Sequence, residues 1–538
     1  MLPQTEHEER QPLLPHQDSV PHHQVGNSLD RDDETETRSI TPLPVKQLIV
    51  LCIMRITEPV SFTVIFPFIN QMIEDLKVTP DRTQVGSYAG LIESLFAVSQ
   101  LCTVLFWGRL SDRIGRKPVL LSGLLGLSVG MIAFGVQWSF IGLILARSFA
   151  GAMNGNIAVI KSTLAELTDE TNQARAFALL PLSYAIGIAV GPAIGGYTAK
   201  PAEQYPSLFS ITGVFGRYPY FLPCFIAGSL NVLAVVLGIF FLDETLPTKT
   251  PAALKRAAQE RAQETETGIQ TQSSVVVEPP SVISLLKKPV ILVLLCFIFM
   301  AFENSAWNAL VPLFSYTRIE DGGLGLTMNQ IGTTLSSSGI VAVLVQTVLF
   351  PLLQRKYGTI NLLRCVKLAF PICFMSLPLI GIMTREASPD GKTVTPHSTL
   401  VAMLGMAFSL ALKCFGNMSI VCITLLVNAS APTRESLGTV NGLAQSCASL
   451  ARSFGPVATG SLFAASIGSH ALGGALIWVV LMLICAAGYA TCWIVEEGHP
   501  SWRKGGGARP SVAVTPSVNS SLTDGASNTR TGYGTMSS

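Results

Sequence analysis

Charge is what this chain has least of. Only 13% of its 538 residues are Asp, Glu, Lys or Arg, against 49% hydrophobic, where a soluble domain carries about 25% charged residues. Much of the charge sits in the two ends and one central stretch, so what lies between is a string of apolar segments. That excludes an ordinary soluble domain and indicates a polytopic membrane protein. The net charge of +2 says little about partners, because in such a protein the placement of Lys and Arg matters more than their sum. No nucleic-acid partner is expected.

Other signals are missing too. Eleven cysteines suggest a framework, yet no CxxC pair occurs, and Cys52, Cys102, Cys224, Cys296, Cys373, Cys414, Cys422 and Cys447 fall within or beside apolar runs. They read as small thiols in helix packing rather than disulfides or ligands. The seven histidines are scattered, so no metal site and no cofactor are expected. A nucleophile–base set, a Walker loop and metal spacings are all lacking, which argues against an enzyme. The first forty residues are polar, acidic and Pro-rich, unlike a cleavable signal peptide. Within them Glu9-Arg-Gln-Pro-Leu13-Leu14 resembles the acidic dileucine signals read by sorting adaptors. An adaptor at Leu13 and Leu14 would direct the chain to a vacuolar or endosomal membrane; without one, the plasma membrane fits equally.

What is present is a series of runs long enough to cross a bilayer as helices, which takes about 20 apolar residues each. They fall at 46–70, 86–107, 119–138, 140–164, 176–198 and 219–242, then at 289–316, 328–353, 360–382, 398–426, 436–466 and 472–495. The expected organisation is a disordered tail at 1–44, a six-helix half at 45–242, a loop at 243–288, a second six-helix half at 289–496 and a disordered tail at 497–538. One set of alternate loops holds Arg109, Arg113, Arg116, Lys117, Lys255, Arg256, Arg261, Lys287, Lys288, Arg355, Lys356, Arg364 and Arg434. The positive-inside rule places that set, both tails and the central loop in the cytosol. Gly191-Pro192 in the fifth run is echoed by Gly455-Pro456 in the eleventh, and the basic turn after the second run has a degraded copy at Gln354–Gly358. Two parallel six-span repeats are an architecture of secondary transporters, with substrate between the halves.

The most specific stretch is Trp107-Gly108-Arg-Leu-Ser-Asp112-Arg113-Ile-Gly115-Arg116-Lys117. It resembles the loop motif of the major facilitator superfamily. Arg147-x-x-x-Gly151-x-x-x-Gly155 is similar to that superfamily's fourth-span motif, and Gly187-x-x-x-Gly191-Pro192-x-x-Gly195-Gly196 to the fifth-span motif of its antiporter branches. Phe66-Pro-Phe, Asn154-Gly and Asn441-Gly-Leu-Ala-Gln445 make the chain similar to the twelve-span drug:proton antiporters, including the zinc-induced facilitator-like group and its fungal relatives. The Cys-rich N-terminal signature and His-rich loop of the plant group are absent, so zinc-linked transport is not implied. The resemblance implies an all-α membrane fold of twelve helices in two pseudo-symmetric halves, working as a monomer. It also implies proton-coupled export of a small amphipathic organic compound by alternating access. A proton-driven importer or facilitator of a polar nutrient, and a non-transporting receptor, stay open as alternatives.

The resemblance makes the loop a gate, with Asp112 expected at the start of span three, where an anion favours a helix's positive end. Gly187, Gly191 and Gly195 recur every four residues, giving one face that another helix can approach closely, and Pro192 removes a backbone donor. Ionisable groups inside spans are functional candidates by default. Glu58, Glu93 and Glu303 are therefore candidates for the proton carrier, and the resemblance adds Arg147 as a relay. Arg55 lies one turn before Glu58 and can pair with it. Asn304, Trp307 and Asn308 give span seven a polar and aromatic face, and Lys413 with Asn417 does so in span ten. Together with Phe62 these are the expected cavity-lining residues.

Overall fold

In a computed structural model of the chain, the described residues are 41–169, 172–246, 285–432, 436–469 and 474–495. Nearly all of the expected tails, the Leu13–Leu14 pair and most of the central loop lie outside them. Among the described residues the secondary structure is entirely helical. Ten stretches of the described residues are long and apolar enough to cross a membrane. Two further helices complete twelve: Val45–Thr63, which carries Lys46, Arg55 and Glu58, and Leu437–Gly468, which is rich in glycine, serine and alanine. Both have the length of a span, and their polar content marks them as helices that line something rather than face lipid.

Several spans are interrupted at residues whose chemistry explains the break. Span four is Phe140–Met153 followed by Asn156–Leu167, and span ten is Pro396–Gly416 followed by Met418–Ser430. Span eight passes from Met328–Leu344 into a wider π turn, Val345–Leu349, just before Pro351. A proline lacks the donor that would close the preceding turn, and a wide turn absorbs the defect. Such breaks are tolerated at membrane depth only where other groups satisfy the freed backbone.

Each half has its own apolar interior. Phe68, Ile92, Met131 and Phe134 are buried in the first, and Leu310, Phe314, Phe370, Phe374 and Met406 in the second. The perimeter is apolar as well: Leu105, Ile141, Leu145, Phe240, Leu404, Phe408 and Leu483 are all exposed. Large side chains turned outward in this number form a lipid-facing belt.

Candidate functional site

The break in span four organises the site. At Asn154 the backbone leaves the helix (φ −89°, ψ 60°), which frees carbonyls that span two then satisfies with side chains. The Ala152 carbonyl accepts from Trp107 Nε1 at 2.6 Å and from Thr103 Oγ1 at 2.9 Å, and the Asn154 carbonyl accepts from Gln100 Nε2 at 2.9 Å. Trp107 lies so close to Gly155 that a Cβ there would overlap its ring. With its backbone held, Asn154 extends Nδ2 to Glu58 Oε1 at 3.2 Å. The other Glu58 oxygen is paired with Arg55, one turn earlier on span one. The Arg55 guanidinium sits 4.9 Å from the centre of the Tyr184 ring on span five, within cation–π range. Lys161 on span four and Arg452 on span eleven both lie within Coulombic reach of Glu58 and Arg55.

Deeper in the first half, Glu93 and Arg147 are 5% and 1% exposed and within Coulombic reach of each other. Arg147 donates to the Phe62 carbonyl at 3.3 Å, and its guanidinium lies 4.3 Å from the Phe96 ring centre and 5.5 Å from that of Phe62. Phe62 is therefore half-buried as a wall of the arginine's chamber, edge-on to Phe66. Two aromatic faces and a carbonyl replace part of the solvation a buried guanidinium loses.

The second half brings four of the expected residues together. Asn304 Nδ2 donates to Asn417 Oδ1 at 3.2 Å, Asn308 Nδ2 to Asn304 Oδ1 at 3.4 Å, and Lys413 Nζ to Asn308 Oδ1 at 3.3 Å. This chain joins spans seven and ten beside the span-ten break. Their neighbours on the same helix are turned elsewhere. Trp307 is 1% exposed and packs its ring 5.4 Å from that of Phe374, in the interior of the half. Glu303 is paired at 2.5 Å with Lys367, and both side chains are 1% exposed. On a helix, positions 303 and 307 share a face, whereas 304 and 308 lie about 100° around it.

The loop motif is tighter than a loop. The helix of span two runs Val85–Ile114 and that of span three Arg116–Gly135, so the turn reduces to Gly115 with φ +114°. Asp112, expected at the start of span three, instead occupies the last turn of span two. The carboxylate at the start of span three is Glu244, which accepts from Arg116 N at 2.8 Å and Lys117 N at 3.1 Å. A glycine's positive φ is needed here, and a Cβ at Gly115 would also run into Glu244. Arg116 ties the cluster together, donating to Asp112 Oδ1 at 2.6 Å, Ser111 Oγ at 2.6 Å and Glu166 Oε1 at 2.9 Å. Asp112 remains 63% exposed by side chain, and Lys117 Nζ reaches the Ile239 carbonyl at 2.8 Å. All these partners belong to the first half, except Glu244, which follows its last span.

Comparison with known proteins matches residues 51–456 to the model of the Major Facilitator Superfamily. The chain belongs to that superfamily. It is similar to the major facilitator-type transporter psiT2 of Psilocybe cyanescens, 33% identical over 84% of this chain and 90% of the relative. It is also similar to the multidrug transporter mfsB of Aspergillus fumigatus, 32% identical over 85% of this chain and 84% of the relative. ZINC INDUCED FACILITATOR 1 of Arabidopsis thaliana is 28% identical over 83% of this chain and 90% of its own. Among solved structures, a D-xylose-proton symporter shares the fold at a TM-score of 0.61 with 14% identity, over 85% of this chain and 98% of that one. This major facilitator is thus a multi-pass integral membrane transporter with twelve helices in two six-helix halves.

The fifth-span glycines divide their work between two neighbours. A Cβ on Gly187, Gly191 or Gly195 would strike Pro59, Thr63 or the Val64 carbonyl of the first span region, whereas one on Gly196 would strike Met328 and Gly332 of span eight. Gly90 and Gly460 similarly set spans two and eleven backbone to backbone, against Pro456 and Gly86. Three hydrogen bonds join the halves among the described residues: Tyr197–Thr333 at 2.7 Å, Tyr316 to Gln71 at 3.1 Å and Val457 N to Ser94 Oγ at 3.0 Å. These close approaches lie toward the end opposite Gly115. Toward the cation-rich end, Gly108 and Gly442 have open space around them. Close packing at one end and free space around Gly108 and Gly442 at the other are what a cleft opening at the cation-rich end would require.

Sequence reasoning missed Gln100, Glu166, Tyr184, Glu244 and Lys367. Lys367 could have been found as an ionisable group inside an apolar run. Glu166 and Glu244 sit at span ends, where a carboxylate looks like an ordinary surface charge.

Proposed function

We propose that this transporter exports a small amphipathic organic compound in exchange for protons, loading substrate from a cytosolic, cation-rich end. The observation that carries the coupling is the Glu93–Arg147 pair: a buried carboxylate with no hydrogen bond to its side chain among the described residues, facing one buried guanidinium. A carboxylate in that setting changes its proton affinity whenever the neighbouring cation shifts. Arg147 is poised to shift, because among the described residues it donates only to the Phe62 carbonyl and the Met131 sulfur. Movement of span one against span four would alter the Phe62 contact and couple proton exchange to rocking. Glu58, held by Arg55 and Asn154, is the carboxylate of the substrate cleft itself. The loop cluster at Arg116 serves as the gate, free of the second half while the cleft is open on that side. Export is supported by the fungal multidrug transporter and by the efflux pump azaK of Aspergillus niger, 30% identical over 92% of this chain.

The test uses the purified full chain in liposomes loaded with substrate and a pH-sensitive dye. Diluting the liposomes into substrate-free buffer should acidify the lumen as substrate leaves. Substrate efflux at constant lumenal pH would instead describe a facilitator.

A further inference from the structure

The group of charges between span one, span four and span eleven is unbalanced. Arg55, Lys161 and Arg452 face one carboxylate, Glu58, and all four lie within mutual Coulombic reach. Glu58 is already engaged on both oxygens, by Arg55 and by Asn154. Among the described residues, Arg452 has a single hydrogen bond, to Ser449 Oγ at 3.0 Å, and its buried Nε has no partner. Lys161 is exposed and, among the described residues, lies within Coulombic reach of Glu58 without forming an ion pair. The other buried acids are committed elsewhere, Glu93 beside Arg147 and Glu303 on Lys367.

The Arg452 Nε, buried without a partner inside a membrane protein, is costly unless something supplies the missing charge, and the exposed Lys161 beside it can share that anion. Arg offers a planar fork of donors suited to carboxylate or phosphate, and Lys a movable point charge beside it. The two come from opposite halves, Lys161 from span four and Arg452 from span eleven. A ligand bridging them would hold the halves at a fixed separation. The Tyr184 ring, already under Arg55, lies within Coulombic reach of Arg452 as well and offers a flat surface to an aromatic body.

We infer that the substrate is an organic anion, whose carboxylate or phosphate is held between Lys161 and Arg452. This rests on reading the cleft as the substrate site. It also adds an electrical consequence. One monoanion leaving as one proton enters moves two positive charges inward per cycle, so an inside-negative potential would drive export together with the pH gradient.

The test measures binding to the purified full chain in detergent, with no gradient, using four probes of one shape: 2-naphthoate, 2-naphthyl phosphate, methyl 2-naphthoate and 2-naphthylmethylamine. Both anions should bind at least about tenfold more tightly than the ester and the amine, a difference typical of one charge-assisted contact. Lys161→Gln and Arg452→Gln should each remove that preference while leaving the ester's affinity unchanged. Unfolding midpoints without ligand provide a second measure: either substitution relieves like-charge repulsion and should leave the midpoint equal or higher. Equal binding of acid, ester and amine, or failure of both anions to bind at millimolar concentration, would overturn the inference. Inorganic phosphate binding as tightly as naphthyl phosphate would also overturn it, by marking an inorganic-anion site. Anion binding without proton movement would sink antiport and leave the anion site standing; proton exchange with the amine but no anion binding would do the reverse.

Discussion

Asn154 in span four and Asn417 in span ten occupy matching places. Each interrupts the fourth helix of its half, and each turns its amide to the first helix of that half, Asn154 to Glu58 and Asn417 to Asn304, both at 3.2 Å. The placement is thus shared, although the backbone opens at Asn154 and stays right-handed at Asn417 (φ −64°, ψ −18°), and the charges are not shared. Seven residues before the break stands Arg147 in one half and Leu410 in the other; seven after it stand Lys161 and Thr424. At these two matching helices the charged positions belong to the first half.

Asn154→Ala and Asn417→Ala should therefore differ. A hydrogen bond to a charged group contributes about 1.5–3 kcal/mol and a neutral one about 0.5–1.5 kcal/mol. The unfolding midpoint of the purified Asn154→Ala protein is expected to fall further than that of Asn417→Ala. The opposite order would mean that the Glu58 contact contributes little.

Glu93→Gln should uncouple transport rather than abolish it. The amide fills the same space beside Arg147 but carries no titrating proton. Substrate exchange between equal pools is expected to persist, whereas uphill movement driven by a pH gradient should disappear. Uphill movement at the wild-type rate would remove Glu93 as the carrier.

The Glu303–Lys367 pair is open to a cycle of substitutions. Removing one partner of a buried pair costs roughly 3–5 kcal/mol, while replacing both with apolar side chains of similar volume is often neutral. Glu303→Leu and Lys367→Met should each lower the unfolding midpoint sharply, and the double variant should recover most of the loss. If the recovered double variant still transports, Glu303 is a packing residue; if it folds and does not transport, Glu303 belongs to the mechanism.

How far the fold could be read from the chain varied with the kind of signal. The spans followed from apolar length, and only the two polar ones, 45–63 and 437–468, departed from a lipid-facing composition. Helix-face arithmetic was harder. Residues 303, 304, 307 and 308 read as one polar face, but side chains around a helix diverge by about 100° per residue, and the structure sends Glu303 and Trp307 inward to Lys367 and Phe374. The Arg55–Glu58 pair was visible because its partners are three residues apart. Contacts between distant segments, such as Glu244 at the start of span three or Gln100 beneath Asn154, leave no local trace in sequence.

Conformational variants follow from the close approach of spans two and eleven. A leucine at Gly90 would overlap the Pro456 carbonyl and should hold the halves apart at that end. Labelling of a cysteine placed at Gly442, now in open space, is expected to slow as the cleft closes around it. Unchanged labelling would mean that the two ends do not move in opposition.

Asp112→Asn tests the gate without disturbing the cluster, since Arg116 keeps Glu166 and the helix start keeps Glu244. Transport should slow while the unfolding free energy stays within about 1 kcal/mol of wild type, as for an exposed charge pair. A large loss of stability would make Asp112 a structural residue instead.

Span two has two unlike sides. On one, Gln100, Thr103 and Trp107 supply the hydrogen bonds that span four gave up at its break, so the two helices are tied as a splint is to a fractured bone. On the other, Gly86 and Gly90 meet span eleven almost without side chains. A helix clamped along one flank, and held on the other by close backbone packing and a single hydrogen bond from Val457 N to Ser94 Oγ, is built like a bearing: spans two and four are expected to move as one piece, with the sliding against span eleven.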